Sequence, residues 1–233
     1  EILRAYKFRI YPDAEQKDNL ARTFGSSRYV FNWALNLKDQ SYKEGVKLNA
    51  GQISAALTQL KKTEEFSWLN GVSSVCLQQS LINLDVAYKN FFKGQAKHPN
   101  FKKRTNKQSA RYVSSAFTFK DGKLKLAKHK KHLKMKMTRQ INGDISSVTV
   151  SKTPDDKYYA SLLVKEQYEP KPKTAKQLGI DLGIKDFATF SDGTKVANPK
   201  HLLKSLKKMK RLQRQLSRKV KGSNNRDKAR IKV

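Results

Sequence analysis

The sequence predicts an α+β protein in which short antiparallel strands carry a block of helices. Three observations predict it. The opening "ILRAYKFRIYP" alternates Tyr6, Phe8 and Ile10 with Lys7 and Arg9, the two-residue period of a half-buried strand. Between residues 13 and 94 the apolar residues recur at helical spacing instead. After Pro99, short alternating runs return, separated by turn sequences such as "DG" and "NGD".

Each element follows in order. Pro12 stops the first strand, and Asp13 followed by Gln16 reads as a capping box that starts a helix. Leu20 and Phe24 supply its buried face, and "GSS" at Gly25 to Ser27 is expected to interrupt it. Val30, Trp33, Ala34 and Leu37 mark a second helix, and Ile53, Leu57 and Leu60 a third from Gly51 to Lys62. The fourth is the clearest: "SVCLQQSLINLDVAYKNFF" sets Leu77, Leu81, Leu84, Tyr88 and Phe91 along one stripe. "GQAKHPNFKKR" then reads as an exposed loop, and the strands beyond it are "AFTF", "KLKLA", "LKMKM", "SSVTVSK" and "KYYASLLVKE". Leu133, Met135 and Met137 alternate with Lys134 and Lys136, so one face is core and the other cationic. Such strands suggest a small antiparallel β-barrel. If the first strand belongs to it, the helical module is an insertion. "EPKPKTAKQ" reads as a linker, and "LGIDLG", "FATFSDG" and "TKVA" as a strand meander. From His201 the chain is helical, with Leu202, Leu206, Met209, Leu212, Leu216 and Val220 on one face.

Composition narrows the function. The formal net charge is +31, from 50 Lys+Arg against 19 Asp+Glu in 233 residues. That excess repels itself in a compact chain, so a polyanionic partner is expected, nucleic acid first. An anionic membrane fits less well: there is no lipidation motif, no strongly apolar helix face and no apolar run near the length of a membrane span. No signal peptide opens the chain, which begins at Glu1 without methionine, so its first residues are expected to be missing. A lone Cys76 leaves no disulfide framework and no cysteine-based zinc site, and it fits a reducing interior.

Three segments concentrate the charge. "HPNFKKRTNKQSARY" combines Lys102, Lys103, Arg104, Lys107 and Arg111 with Phe101 and Tyr112, giving cations for phosphates and rings for stacking. "KHKKHLKMKM" adds Lys128, Lys130 and Lys131. The last helical region adds Lys207, Lys208, Lys210, Arg211, Arg214, Arg218 and Lys219. A single charge run is commonly a solvated face, but three with few acids point to phosphate contact without base specificity. Gln78, Gln79 and Asn83 on the fourth helix could read adenine edges in a groove, or be ordinary surface amides. His98, His129, His132 and His201 lack metal-ligand spacing and are expected to be structural or phosphate-facing, while Cys76 is expected to pack in the core.

Asp181, in "LGIDLGIKDFATFSDG", is the remaining candidate. It is flanked by apolar residues, as if at the end of a buried strand, and Gly179 and Gly183 would let ions and phosphates approach. Two-metal phosphodiester chemistry needs carboxylates converging on ions about 3.5–4 Å apart. A strand-end Asp that caps a turn is the competing reading. An actin-like phosphate-binding strand-turn is a weaker one. Asp192 in "SDGT" reads as a turn former, and neither it nor Asp186 is given a catalytic role.

Several segments in order resemble the TnpB family, the transposon-encoded RNA-guided DNA endonucleases related to type V CRISPR effectors. They are "AYKFRIYPDAEQ", "GSSRYVFNWAL", "SLINLDVAYKNFFKG", "HPNFKKR", "GIDLGIKDFATFSDG" and "LKKMKRLQRQLSRKVKGSNN". The resemblance implies a wedge β-barrel from residues 1–12 and 95–170 and a helical recognition insertion at 13–94. It further implies a linker at 171–176 and the incomplete start of an RNase H-like (RuvC) domain at 177–233. It implies a guide RNA derived from the transposon end, double-stranded target DNA recognised beside a short motif, and a cytoplasmic, nucleoid-associated setting. Asp181 matches the first of three carboxylates that hold Mg²⁺ in the family. Gln78, Gln79, Asn83, Ser114 and Ser115 fall near the motif-reading surface, and the basic segments would face nucleic-acid backbone. The second and third carboxylates and a Cys-x-x-Cys zinc element lie further downstream in the family, and Glu166 and Glu169 are misplaced to substitute. This polypeptide alone is therefore expected to bind Mg²⁺ poorly and not to cleave DNA. A truncated RNA-guided repressor and a generic basic RNA-binding protein remain as alternatives.

Overall fold

The structure is a computed structural model and describes residues 1–233 except 106, 171, 173 and 176. Three positions of the expected linker therefore lie outside the described residues. The chain forms two compact units, Glu1–Tyr168 and Glu169–Val233. Among the described residues no helix is long and apolar enough to cross a membrane.

The first unit opens with β1 (Ile2–Tyr11), α1 (Ala14–Lys43), α2 (Ala50–Leu60), a 3-10 segment Glu64–Gly71 and α3 (Ser74–Phe92). It continues with β2 (Gln108–Val113), β3 (Phe117–Lys120), β4 (Lys123–Leu126), β5 (Lys134–Lys136), β6 (Asp144–Lys152) and β7 (Tyr158–Glu166). The main sheet is antiparallel, in the order β2-β6-β7-β1-β5. The N-terminal strand thus lies inside the sheet, in register with β7 from Ile2↔Glu166 to Ile10↔Tyr158. The helices leave this sheet after β1 and return to it at β2.

As expected for an alternating strand, β1 buries Tyr6, Phe8 and Ile10. The Tyr6 hydroxyl donates to the Glu166 carboxylate, which also takes Arg4 Nη1 at 3.0 Å. Glu166 is buried and committed to this cross-sheet contact. The β3–β4 hairpin turns at Asp121 and Gly122, both with positive φ, the geometry that "DG" favours.

The expected barrel does not close among the described residues. β3 and β4 form a separate two-stranded sheet, tied towards β5 only by the isolated bridge Leu124↔Leu133. A 3-10 turn at Ser114–Ala116 diverts the chain after β2, so its ladder does not run on into β3. The result is an open antiparallel sheet with an appended hairpin.

The helices form as the capping signals require. Asp13 Oδ1 accepts from the Gln16 backbone N–H at 2.9 Å, and Gln16 Oε1 accepts from the Asp13 N–H at 3.1 Å. Gln16 Nε2 also donates to the His132 carbonyl at 3.1 Å, which draws the 128–132 loop onto the start of α1. The expected break at Gly25–Ser27 is absent, and α1 runs unbroken for 30 residues. Its first half packs Leu20 and Phe24 into the sheet core, and its second half packs Val30, Phe31, Ala34 and Leu35 into the core shared with α2 and α3. Burial on both sides of the "GSS" outweighs the weak propensity of three residues.

The second unit holds β8 (Ile180–Asp181), β9 (Asp186–Phe190), β10 (Lys195–Ala197), α4 (His201–Ser217) and α5 (Asn224–Lys232). The strands form the expected meander, in the order β10-β9-β8. Asp192 Oδ1 accepts from the Thr194 N–H at 2.9 Å, the turn-forming contact its sequence predicts, and this hydrogen bond lowers its pKa. α4 ends at Ser217, so Val220 falls outside the helical stripe. Arg226 Nη1 donates to the carbonyls of Leu216 and Lys219 at 3.1 and 2.9 Å, which caps α4.

Candidate nucleic-acid interface

A cleft of about 520 Å³ opens in the first unit where α1, α3 and β2 meet. α3 turns Leu77, Leu81, Leu84 and Tyr88 into the helical core. Gln79 and Asn83, one turn apart on another face, line the cleft. Arg28 enters from α1, Lys102, Lys103 and Lys107 from the loop, and Arg111 from β2.

The cations here are positioned without carboxylates, none of which lines the cleft among the described residues. Arg28 Nη1 donates to Gln108 Oε1 at 3.0 Å, and Arg111 Nη2 donates to Ser147 Oγ at 3.2 Å. Neutral partners orient each guanidinium while leaving its charge uncompensated, which suits a phosphate ligand. Ser27 Oγ is buried, lines the same cleft and has no hydrogen-bond partner among the described residues.

The basic loop is pinned rather than free. Asn32 Nδ2 donates to the Lys102 carbonyl at 3.0 Å, and the Lys102 N–H donates to Asn32 Oδ1 at 2.8 Å. The Lys102 ammonium lies 3.8 Å from the centre of the Phe31 ring, and desolvation there lowers its pKa. His98 docks the start of the loop, edge-on to Tyr88 and Phe91 and 3.4 Å from Asp39. Of the two roles expected of His98, structural or phosphate-facing, these contacts give it the structural one. Asn32→Ala is expected to cost about 1 kcal/mol of stability. It should weaken nucleic-acid binding severalfold because the loop loses its anchor, and anisotropy titration beside a melting curve checks both.

The other candidates are placed as follows. Gln78, Ser114 and Ser115 are exposed and do not line the cleft. Arg104 is exposed, and its carbonyl accepts from Gln108 Nε2 at 2.9 Å. Tyr112 is corrected: it is 1% exposed, packed in the sheet core, and cannot stack on a base. Its basic segment, to which the sequence assigned no strand, forms β2, whose alternation sends Tyr112 inward and Arg111 towards the cleft. Burial also pushes the Tyr112 hydroxyl pKa up. Lys128 and Lys131 are exposed, and Lys130 lies 3.6 Å from Glu15. His129 is buried with neither ring nitrogen partnered among the described residues, and burial lowers its pKa, so it does not face phosphate. In the second unit, Lys207, Lys210, Arg211, Arg214 and Arg218 line one trough along α4, while Lys208 and Lys219 are exposed elsewhere.

Asp181 is corrected in its setting. β8 is exposed rather than buried, with Ile180 58% accessible. A Cβ on Gly183 would meet the Asp186 carbonyl at 3.0 Å, so that glycine serves the turn itself. Among the described residues no group of three His, Cys, Asp or Glu side chains could hold a metal ion.

Ser27 falls in the expected interruption "GSS" and Arg28 directly follows it, so neither is among the sequence candidates. The available signal was the spacing of Leu20, Phe24 and Phe31, which continues one helical stripe through it.

Residues 2–47 match a family model described as "Helix-turn-helix domain", of the OrfB type, and residues 147–233 match one described as "Probable transposase", of the same type. Residues 2–47 here form β1 and the single helix α1, without a turn between two helices. The chain is 43% identical over 237 residues to a Streptomyces pristinaespiralis protein described as a candidate RNA-guided DNA endonuclease, covering 100% of this chain and 59% of that protein. It is 35% identical over 232 residues to InsQ of Escherichia coli K12, described in the same way, covering 99% and 58%. It is also 38% identical over 116 residues to the virulence protein VsdF of Salmonella dublin, covering 46% of this chain and 98% of that protein. The chain thus spans less than three fifths of the length of the two longer relatives in places where 59% and 58% of them align. The similarity runs through both units, and the chain belongs to the TnpB family of transposon-encoded, OrfB-type proteins.

Proposed function

We propose that this chain is the guide- and target-binding part of a transposon-encoded RNA-guided DNA endonuclease. One observation carries the proposal: a single cleft gathers Gln79 and Asn83, which can read base edges, with Arg28, Lys102, Lys103, Lys107 and Arg111, which can hold phosphates. Phosphate contacts fix the register of a duplex, and the two amides then meet its base edges. On this reading residues 1–12 and 95–170 are the wedge, 13–94 the recognition insertion, and 177–233 the opening of a RuvC-like domain. The cationic trough on α4 follows guide RNA or heteroduplex backbone. The protein acts in the cytoplasm, where the nucleoid offers its target.

Asp181 is proposed as one carboxylate of a Mg²⁺ site in the whole protein. The described residues of this chain do not fit that ion alone, since no cluster of ligating side chains surrounds Asp181.

Sequencing the RNA that co-purifies with the protein tests the guided reading. A discrete enriched species that ends in variable sequence is expected. Bulk RNA with no enriched species would instead make this a generic basic RNA-binding protein.

A further inference from the structure

Next to the basic cleft, on the other side of Arg28, lies a second groove of about 820 Å³ between α1 and the 3-10 segment Glu64–Gly71. Two glycines line it. Gly25 sits in the middle of α1, where glycine is disfavoured against alanine. Its φ is not in the left-handed region, and a Cβ built on it would meet nothing within 4 Å. Gly71 is the same on both counts. Neither backbone conformation nor packing among the described residues explains them. Their effect is to keep the groove open.

The groove wall is aromatic. Trp68 remains 48% exposed although Leu69 and Val72 beside it are buried anchors. Tyr29 holds the indole edge-on at 5.3 Å between ring centres, and Phe66 stacks behind Tyr29 at 5.7 Å. An indole fixed this way is a ready platform for a flat ligand. Arg22 and Arg28 supply positive charge at the groove. Arg22 pairs with Asp18 at 2.8 Å, but both side chains are largely exposed, so that pair is weak and can yield. Arg28 lines both the groove and the basic cleft, so the two lie side by side about one guanidinium.

We infer that this groove accepts one unpaired nucleotide of the bound nucleic acid, its base stacked on Trp68 and its phosphate passing Arg28 into the cleft. A neutral peptide could use the aromatic wall, but it would leave the Arg28 guanidinium, whose partner Gln108 is neutral, without an anionic one. The inference rests on the reading that the first unit grips nucleic acid, and it adds the site where a duplex end or junction is held open.

The test uses the full chain with Trp33→Phe, because the only tryptophans are Trp33 and Trp68, and this leaves Trp68 as the sole indole. It compares a blunt duplex with the same duplex carrying a short single-stranded tail. The tail is expected to quench Trp68 emission and to raise affinity about tenfold, within the range of base–aromatic stacking. Trp68→Ala and, in the same background, Gly25→Leu should each remove that increment and leave blunt-duplex affinity unchanged. Gly25→Leu deletes no contact and adds a good helix former, so it separates blocking the groove from unfolding it. The inference is overturned if the tail neither quenches nor adds affinity. It is equally overturned if both variants weaken blunt and tailed duplex alike, or if the groove variants change self-association measured by sedimentation instead. Failure of the wild type to bind blunt duplex would count against the proposed function, and quenching by the free single strand would then decide this site by itself.

Discussion

Replacing Lys103, Lys107 and Arg111 together by alanine is expected to weaken duplex binding about a hundredfold at low salt and to leave the fold intact. All three line the basic cleft, and among the described residues none is paired with a carboxylate there. Each exposed phosphate contact is taken to contribute about 1 kcal/mol, so three contribute about 3 kcal/mol, or roughly a hundredfold. The dependence of log affinity on log salt should flatten by about 0.9 per lost contact, close to 2.7 in total. Lys102 is left out deliberately. Its ammonium lies over Phe31 and its backbone is held by Asn32, so changing it would mix folding with binding. Fluorescence anisotropy over a salt series reads both numbers. A variant with full affinity but a flattened slope, or the converse, would separate charge from shape.

The largest single-residue effect on stability is expected at Gly143. Its φ is +129°, a conformation L side chains rarely adopt, and a Cβ there would sit 2.1 Å from the Lys165 carbonyl oxygen and 3.2 Å from Val164 Cγ1. Gly143 leads into β6 just ahead of the register shift between Ile145 and Ser147, where β6 closes on β7. The obstacle is backbone of the central ladder, which cannot swing aside as a flexible side chain can. Backbone strain and overpacking together put the cost of Gly143→Ala at about 4 kcal/mol, roughly 10 °C in Tm for a chain of this size. Gly71→Ala, with open space around its Cβ and no left-handed φ, should be nearly neutral. Parallel thermal melts check the contrast.

Features governed by local chemistry were legible in the sequence. The alternation of Tyr6, Phe8 and Ile10, the capping box at Asp13 and Gln16, and the stripe on α3 each follow from neighbours a few residues away, and the structure holds all three. Features decided by distant packing were not. α1 stays whole through Gly25–Ser27 because two cores hold it from either side. β2 was hidden inside a run of cations, yet pairing with β6 from Gln108↔Lys152 to Val113↔Ser147 makes it a strand. Tyr112 looked like a stacking ring for the same reason, and only that pairing sends it into the core.

The candidate site divides along the same line. Gln79, Asn83 and the loop cations were individually visible, but nothing in a linear reading says that α3 and the loop converge. Arg28 completes the cleft from a helix that seemed to be broken there. Asp181 shows the converse. Its apolar neighbours Ile180 and Leu182 suggested burial, but both are more than half exposed in the second unit, since flanking hydrophobicity marks a strand without specifying what covers it.

The central claim is that the cleft both grips and reads a duplex, and selection from a randomised pool tests it most directly. The protein with its co-purified RNA is incubated with duplexes carrying a random tract, and the bound fraction is sequenced for the wild type and for Gln79→Ala/Asn83→Ala. The account predicts a short enriched motif for the wild type. In the double variant the motif should fade while total binding, carried by Arg28 and the lysines, changes only a few fold. A wild type that enriches no motif, or a double variant that enriches the same motif equally well, would contradict it.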